Sequence, residues 1–167
     1  MSKVNYKINT FVEPHYPIKR SLLVYTASAT LDFLKVKGKI ELAISIVGDR
    51  KMRKLNKEYR GMDSTTDVLS FPYALETGKS QIFVNPPSKY LNIGDVISSY
   101  PELIDRAAKE NMMVDDMASV LVIHGVLHLL GYDHEKPHDA VEMEKLEDQI
   151  FTTINAGGPL EQQRKAH

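Results

Sequence analysis

Three histidines could do chemistry together. His124 and His128 stand four apart inside the apolar stretch 117–130, and His134 follows Gly131. On a helix, residues four apart share one face, one above the other. Gly131 sits where a left-handed residue ends a helix, so the chain can turn back and His134 can swing toward the same point. Three imidazoles arranged in this way supply three ligands to a metal and leave one position open, as catalytic zinc sites do; structural zinc sites are closed by four protein ligands. A single histidine in an apolar helix is more often a hydrogen-bonded core residue. Three of them brought together with no shared partner would be costly to bury, which favours the metal. The chain has no cysteine, so it forms no disulfide and any metal must rest on His, Asp or Glu.

A metal held by neutral imidazoles keeps its full positive charge. It brings the pKa of a bound water to about 7 and polarises a carbonyl or phosphoryl oxygen. The H-E-x-x-H pattern would place a carboxylate base beside the first ligand, but here that position is Gly125. This counts against peptide hydrolysis. Phosphodiester cleavage depends more on stabilising charge around phosphate oxygens, and cations for that lie upstream. A helix expected at about 50–59 carries Arg50, Arg53, Lys54 and Lys57 on one side, with Arg60 just beyond. A solvated basic face explains such a group equally well. In a chain of net charge −1 and pI about 6.6, it also marks a local phosphate-binding stripe, although a globally basic nucleic-acid binder is excluded.

The elements that must position these groups read as follows. The chain has 167 residues, 43% hydrophobic and 26% charged, which suits one soluble domain with a sizeable core. We expect that domain over 1–155, with 156–167 as a flexible tail whose Gly157-Gly158-Pro159 stops the last helix. No run is long enough to span a bilayer. The first twenty residues lack the apolar core of a secretory signal, so a cytoplasmic location is expected, with no membrane partner. Strands are expected at 4–11, 40–47, 65–71 and 93–99, and the 40–47 strand is apolar enough on both faces to be internal to a sheet. Helices are expected at 16–36, 101–113 and 117–130, and from Pro137 onward. Asp49 is placed to cap the basic helix, with Met52, Leu55 and Tyr59 on its buried side. Asp115 and Asp116 are placed to cap the histidine helix. The last helix should bury Val141, Leu146, Ile150 and Ile154 and turn Glu142, Glu144, Glu147 and Asp148 to water. The connection 74–92, with a small strand possible at 82–84, is long enough to be functional or flexible. Together these give an α+β fold, a small mixed sheet covered by helices. His15 and His138 read as surface histidines.

Residues 124–134 fit the pattern H-G-x-L-H-L-x-G-Y-D-H, which resembles the signature of the YbeY family of bacterial rRNA maturation factors and metal-dependent endoribonucleases. A second block is similar to that family as well: Asn56, Tyr59-Arg60-Gly61, Asp63, and Thr66-Asp67-Val68-Leu69-Ser70-Phe71-Pro72. A third, Gly94-Asp95-Val96-Ile97-Ser98, resembles its G-D-I-x-I-S strand. The resemblance covers most of 40–150 and implies an arrangement related to the zincin metallohydrolases. It implies zinc on His124, His128 and His134, with nickel or another divalent metal able to use the same imidazoles. It implies an active role for Arg60, action on ribosomal RNA in maturation and quality control, and the small ribosomal subunit or its assembly factors as partners. Asp67, Asp95 and Asp133 become possible outer groups that orient ligands or loops, or else ordinary turn aspartates. Two other functions stay open: a zincin-type hydrolase of peptides or another ester, and a ribosome-assembly binding factor whose metal is structural.

Overall fold

A computed structural model describes residues 5–73 and 89–155. The small strand expected at 82–84, most of the long connection and the C-terminal tail lie outside the described residues. The elements run β1 (Tyr6–Val12), α1 (Arg20–Phe33), β2 (Ile40–Val47), α2 (Asp49–Arg60), β3 (Val68–Pro72), β4 (Leu91–Ser99), α3 (Tyr100–Lys109), α4 (Val114–Leu129) and α5 (Pro137–Asn155). The strands form one mixed sheet in the order β1-β2-β4-β3. β1 and β4 both pair with β2 in parallel, while β3 pairs with β4 antiparallel. The expected α+β class and the internal position of β2 are therefore observed.

The alternation in β2 decides the layering. Ile40, Leu42, Ile44 and Ile46 join the main core, which α1 and α4 complete with Leu23, Leu31, Leu121 and Leu127. On the opposite face Val47, Met52 and Leu69 form a small second cluster under α2. β3 is an edge strand, which is why Pro72 can sit inside it without breaking a ladder on both sides. At Gly94 of β4 a side chain is not possible. φ is +135°, and an added Cβ would lie 2.1 Å from the Phe71 carbonyl oxygen.

Helix starts depart from the expectation. α4 begins at Val114 after Met113, which offers no side-chain cap; Asp115 and Asp116 lie inside the first turn. There they still favour the helix through its dipole, by about 0.3–1 kcal/mol each. A missing cap costs about 0.5–2 kcal/mol. Burial easily exceeds this: Met117, Leu121, Ile123, Leu127 and Leu129 are fully enclosed, at about 1.5–3 kcal/mol apiece. Asp49 likewise is not the cap of α2, since Gly48 takes that place. Its Oδ1 instead accepts from the hydroxyls of Thr65 (2.9 Å) and Ser99 (2.6 Å), tying the start of α2 to the approach to β3 and the end of β4.

Two faces also differ. Tyr59, expected to be buried, is 61% exposed, and the second buried residue of α2 is Asn56. In α5, Val141 is 66% exposed and Met143 takes its place in the core with Ile150 and Ile154. A stripe running 143, 150, 154 also carries position 147 inward, because those positions share a face at helical spacing. Glu147 is thereby moved from the expected wet face to the interior edge of α5. Among the described residues no single helix is long and apolar enough to cross a membrane.

Candidate metal centre and the cleft around it

α4 delivers two of the three histidines from its last two turns. The helix ends with Leu130 as its cap, and Gly131 follows at φ +98°, so the chain reverses as its sequence position suggested. The Tyr132 amide donates to the Leu127 carbonyl at 3.0 Å and closes the turn. In the segment that follows, Asp133 Oδ1 accepts from the backbone N–H of His134 (2.7 Å) and of Glu135 (3.3 Å). These bonds hold the backbone under the third histidine. The ring centroids then stand 4.6 Å (His124–His128), 5.0 Å (His128–His134) and 5.6 Å (His124–His134) apart.

The donor set fits a metal. One ligand nitrogen from each histidine lies within 4.8 Å of the other two. The Nε2 atoms of His124 and His128 face each other at 3.1 Å. Tetrahedral coordination at the usual zinc–imidazole length of about 2.0–2.1 Å places such nitrogens about 3.3 Å apart. Two nitrogens that close must share either a proton, in an N–H···N bond, or a metal ion between their lone pairs. Burial, reinforced by the neighbouring His124 and His134, lowers the His128 pKa to about 4. Its ring is therefore neutral at pH 7, the form a metal requires.

His124 is held from behind. Its Nδ1 lies 2.5 Å from Oε1 of Glu147, with the two side chains 27% and 19% exposed. Sequence reasoning placed Glu147 in water. The signal that could have found it is the run Met143, Glu147, Ile150, Ile154, in which a glutamate occupies a place on an apolar stripe.

Gly125, the position of the absent protease base, has a packing reason. An added Cβ would lie 2.5 Å from Val96 Cγ1, so α4 meets β4 at van der Waals contact there. The Gly125 carbonyl accepts from Ser70 Oγ at 3.2 Å, tying α4 to β3 as well.

The histidines line a cleft of about 830 Å³ whose other wall is β3 and the end of α2. Arg60 and Tyr59 face this cleft, while Arg50, Arg53, Lys54 and Lys57 are not among its described lining residues. Those four are exposed on α2, and the Arg53 guanidinium is engaged by Asp63 at 2.7 Å. α2 stops directly after Arg60 because Gly61 takes φ +70°, its amide bonding the Lys57 carbonyl. Asn56 pins the next turn by donating to the Ser64 carbonyl at 2.8 Å.

The three aspartates have distinct partners. Asp67 lines the cleft, accepts from Arg106 Nη1 at 2.7 Å, and through its carbonyl receives Ser98 Oγ at 2.8 Å. Asp95 accepts from the hydroxyl of Tyr73, another cleft residue. That bond, helped by burial, pushes the Tyr73 pKa up to about 12, so the phenol keeps its proton. Asp133 serves the backbone of its own turn. His15 and His138 are exposed, and His138 lies 3.8 Å from Glu142 and away from the cluster.

A buried helix and the turn that follows it bring three histidines together at an open cleft beside a mixed sheet, an α+β arrangement whose donor set could hold a metal. The chain belongs to the endoribonuclease YbeY family, whose model matches residues 16–155. It is 34% identical over 157 residues to the endoribonuclease YbeY of Roseiflexus sp. (strain RS-1), covering 92% of this chain and 96% of that protein. It is also 34% identical to the endoribonuclease YbeY of Acinetobacter baylyi over 92% and 94% of the two chains. The corresponding Nitrobacter winogradskyi protein is 40% identical over 81% of this chain and 68% of its own length. The solution structure of TM1509 from Thermotoga maritima shares the fold, with a TM-score of 0.58 and 24% identity over 87% of each chain.

Proposed function

We propose that this chain is a metal-dependent endoribonuclease of ribosomal RNA maturation, with His124, His128 and His134 as the ligands of one zinc ion. The observation that carries this reading is the convergence of the three ligand nitrogens within 4.8 Å at the wall of an open cleft. Nickel or another divalent ion suits the same imidazoles, and availability decides among them. A bound ion would supply a water ionising near pH 7 and a Lewis acid for a phosphoryl oxygen.

The remaining roles belong to the chain itself. His128 stays neutral and keeps its lone pair free. Arg60, across the cleft, grips the scissile phosphate with two N–H groups at once. The exposed rings of Tyr59 and Tyr73 offer faces on which unpaired bases can stack, which suits single-stranded RNA. Arg50, Lys54 and Lys57, with Arg53 in its pair with Asp63, attract the RNA backbone further along α2. Asp67, Asp95 and Asp133 fix the elements on which these groups stand. Residues up to 155 act as one catalytic unit in the cytoplasm. The substrate is ribosomal RNA, including the 3′ end of the small-subunit RNA, met on the small subunit or with its assembly factors and in ribosome quality control. A peptidase is disfavoured because a glutamate at 125 would strike Val96. A binding factor with a structural metal is disfavoured by a site open to a cleft of this size.

The test is elemental analysis of purified protein joined to cleavage of a structured ribosomal RNA fragment, with and without chelator and with casein alongside. About one zinc per chain and chelator-sensitive RNA cleavage are expected. RNA cleavage indifferent to chelator, or casein as the only substrate cut, would overturn the proposal.

A further inference from the structure

We infer that Glu147 is a positioning residue of the metal centre, which reaches from α5 to set the His124 ring. The inference rests on the metal reading above. Its observation is separate from the histidine cluster: a carboxylate oxygen 2.5 Å from His124 Nδ1, contributed by a different helix 23 residues later in the chain. The three nearby aspartates are engaged elsewhere. Asp133 serves only backbone amides, and Asp67 and Asp95 are bonded to Arg106 and Tyr73.

A neutral imidazole carries its proton on either nitrogen. A carboxylate at Nδ1 accepts that proton's hydrogen bond and leaves the lone pair on Nε2, the atom facing His128. It also fixes the ring's rotation and makes the ligand more basic. Its negative charge offsets part of a dication that three neutral ligands leave unbalanced. The backbone supports this use: Met143 and Ile150 are buried on either side of Glu147 along α5, and that packing aims its side chain at α4. An ordinary interhelical ion pair would need none of this. It would stabilise the fold equally with or without metal.

The experiment titrates metal-free protein with zinc against a competing chelator and records the melting temperature of each metal-free form. The variants are Glu147→Gln, Glu147→Asp, and Glu144→Gln as an exposed control on the same helix. Glu147→Gln keeps the shape and loses the charge. It should bind zinc about 10- to 100-fold more weakly, the usual cost of removing such a partner, while its metal-free melting temperature stays at the wild-type value. Glu147→Asp keeps the charge on a shorter arm. It should fall between the two, and it carries the test if the glutamine form does not fold. Glu144→Gln should bind as wild type. Wild-type affinity in Glu147→Gln overturns the assignment, as does a metal-free melting temperature that drops while affinity holds. An equal loss in Glu144→Gln shows a general charge effect and overturns it too. Wild-type protein that takes up no zinc overturns the metal centre itself and this assignment with it.

Discussion

The two walls of the cleft are built on opposite terms. On one side α4 is enclosed on nearly every face, its glycine is pressed against Val96, and its His124 is bonded from behind by Glu147. On the other side α2 stands over a cluster of three buried residues, and its Tyr59 and Arg60 are exposed. On the proposed reading, ligands that must hold an ion to within a few tenths of an ångström stand on the more deeply packed wall. The proposed phosphate grip of Arg60 stands on the exposed wall, where a side chain has room to adjust to a polymer. Substitutions on the α4 wall should therefore change what the protein holds, and those on the α2 wall only what it does.

That contrast can be broken by three changes. The largest effect is expected from His128→Ala on the α4 wall. It removes the ring neutral at pH 7 and should abolish both the bound zinc and RNA cleavage. Full metal occupancy by elemental analysis in that variant would show that His128 is not a ligand and sink the three-histidine assignment. Next is Arg60→Lys on the other wall. Lysine cannot reproduce a two-pronged grip on phosphate. Loss of a charge-stabilising donor costs about 100- to 1,000-fold in rate. Single-turnover cleavage should fall by that factor, with zinc content and Tm unchanged. A wild-type rate would move the phosphate grip to Arg50, Arg53, Lys54 or Lys57. The smallest effect is expected from Gly125→Ala, whose new methyl meets Val96. Overpacking of this kind costs about 1–3 kcal/mol. For a chain of this size each kcal/mol lowers Tm by about 2–4 °C. Adding Val96→Ala should make the pair cost less than the sum of the single changes. Simple additivity in thermal melts would mean that the contact does not set the spacing of α4 and β4.

The histidine cluster is legible in the sequence because its three members are local. A spacing of four and a glycine turn are enough to bring the three rings toward one point. The strand at 40–47 is legible for a similar reason, since alternation along one segment reports its own two faces. What stays hidden is set by partners distant in sequence. Asp49 looks like a cap until Thr65 and Ser99 are seen to claim its carboxylate. Glu147 sits among four acidic residues on a helix of mixed pattern. Only the choice of Met143 over Val141 for the core reveals which way it points. Tyr59 fits an apolar stripe, yet it lies beyond the small cluster that α2 covers and spills into the cleft. The family blocks bring Asn56 and Arg60 to notice, but not that the first secures the turn following the second.

The contact at Gly125 also acts as a key against rotation. A helix advances about 100° per residue, so with position 125 directed at β4 the histidines at 124 and 128 both fall on one flank, about 100° and 60° round from the sheet. Turning α4 to present a neighbour to Val96 would drive a real Cβ into the 2.5 Å gap that glycine alone tolerates. The helix radius with side chains is about 5–6 Å, so a 10° twist would move each imidazole by about 1 Å. That displacement is several times the tolerance of a metal–nitrogen bond. A residue with no side chain, aimed away from the cleft, thus fixes the angular aim of the two that face it.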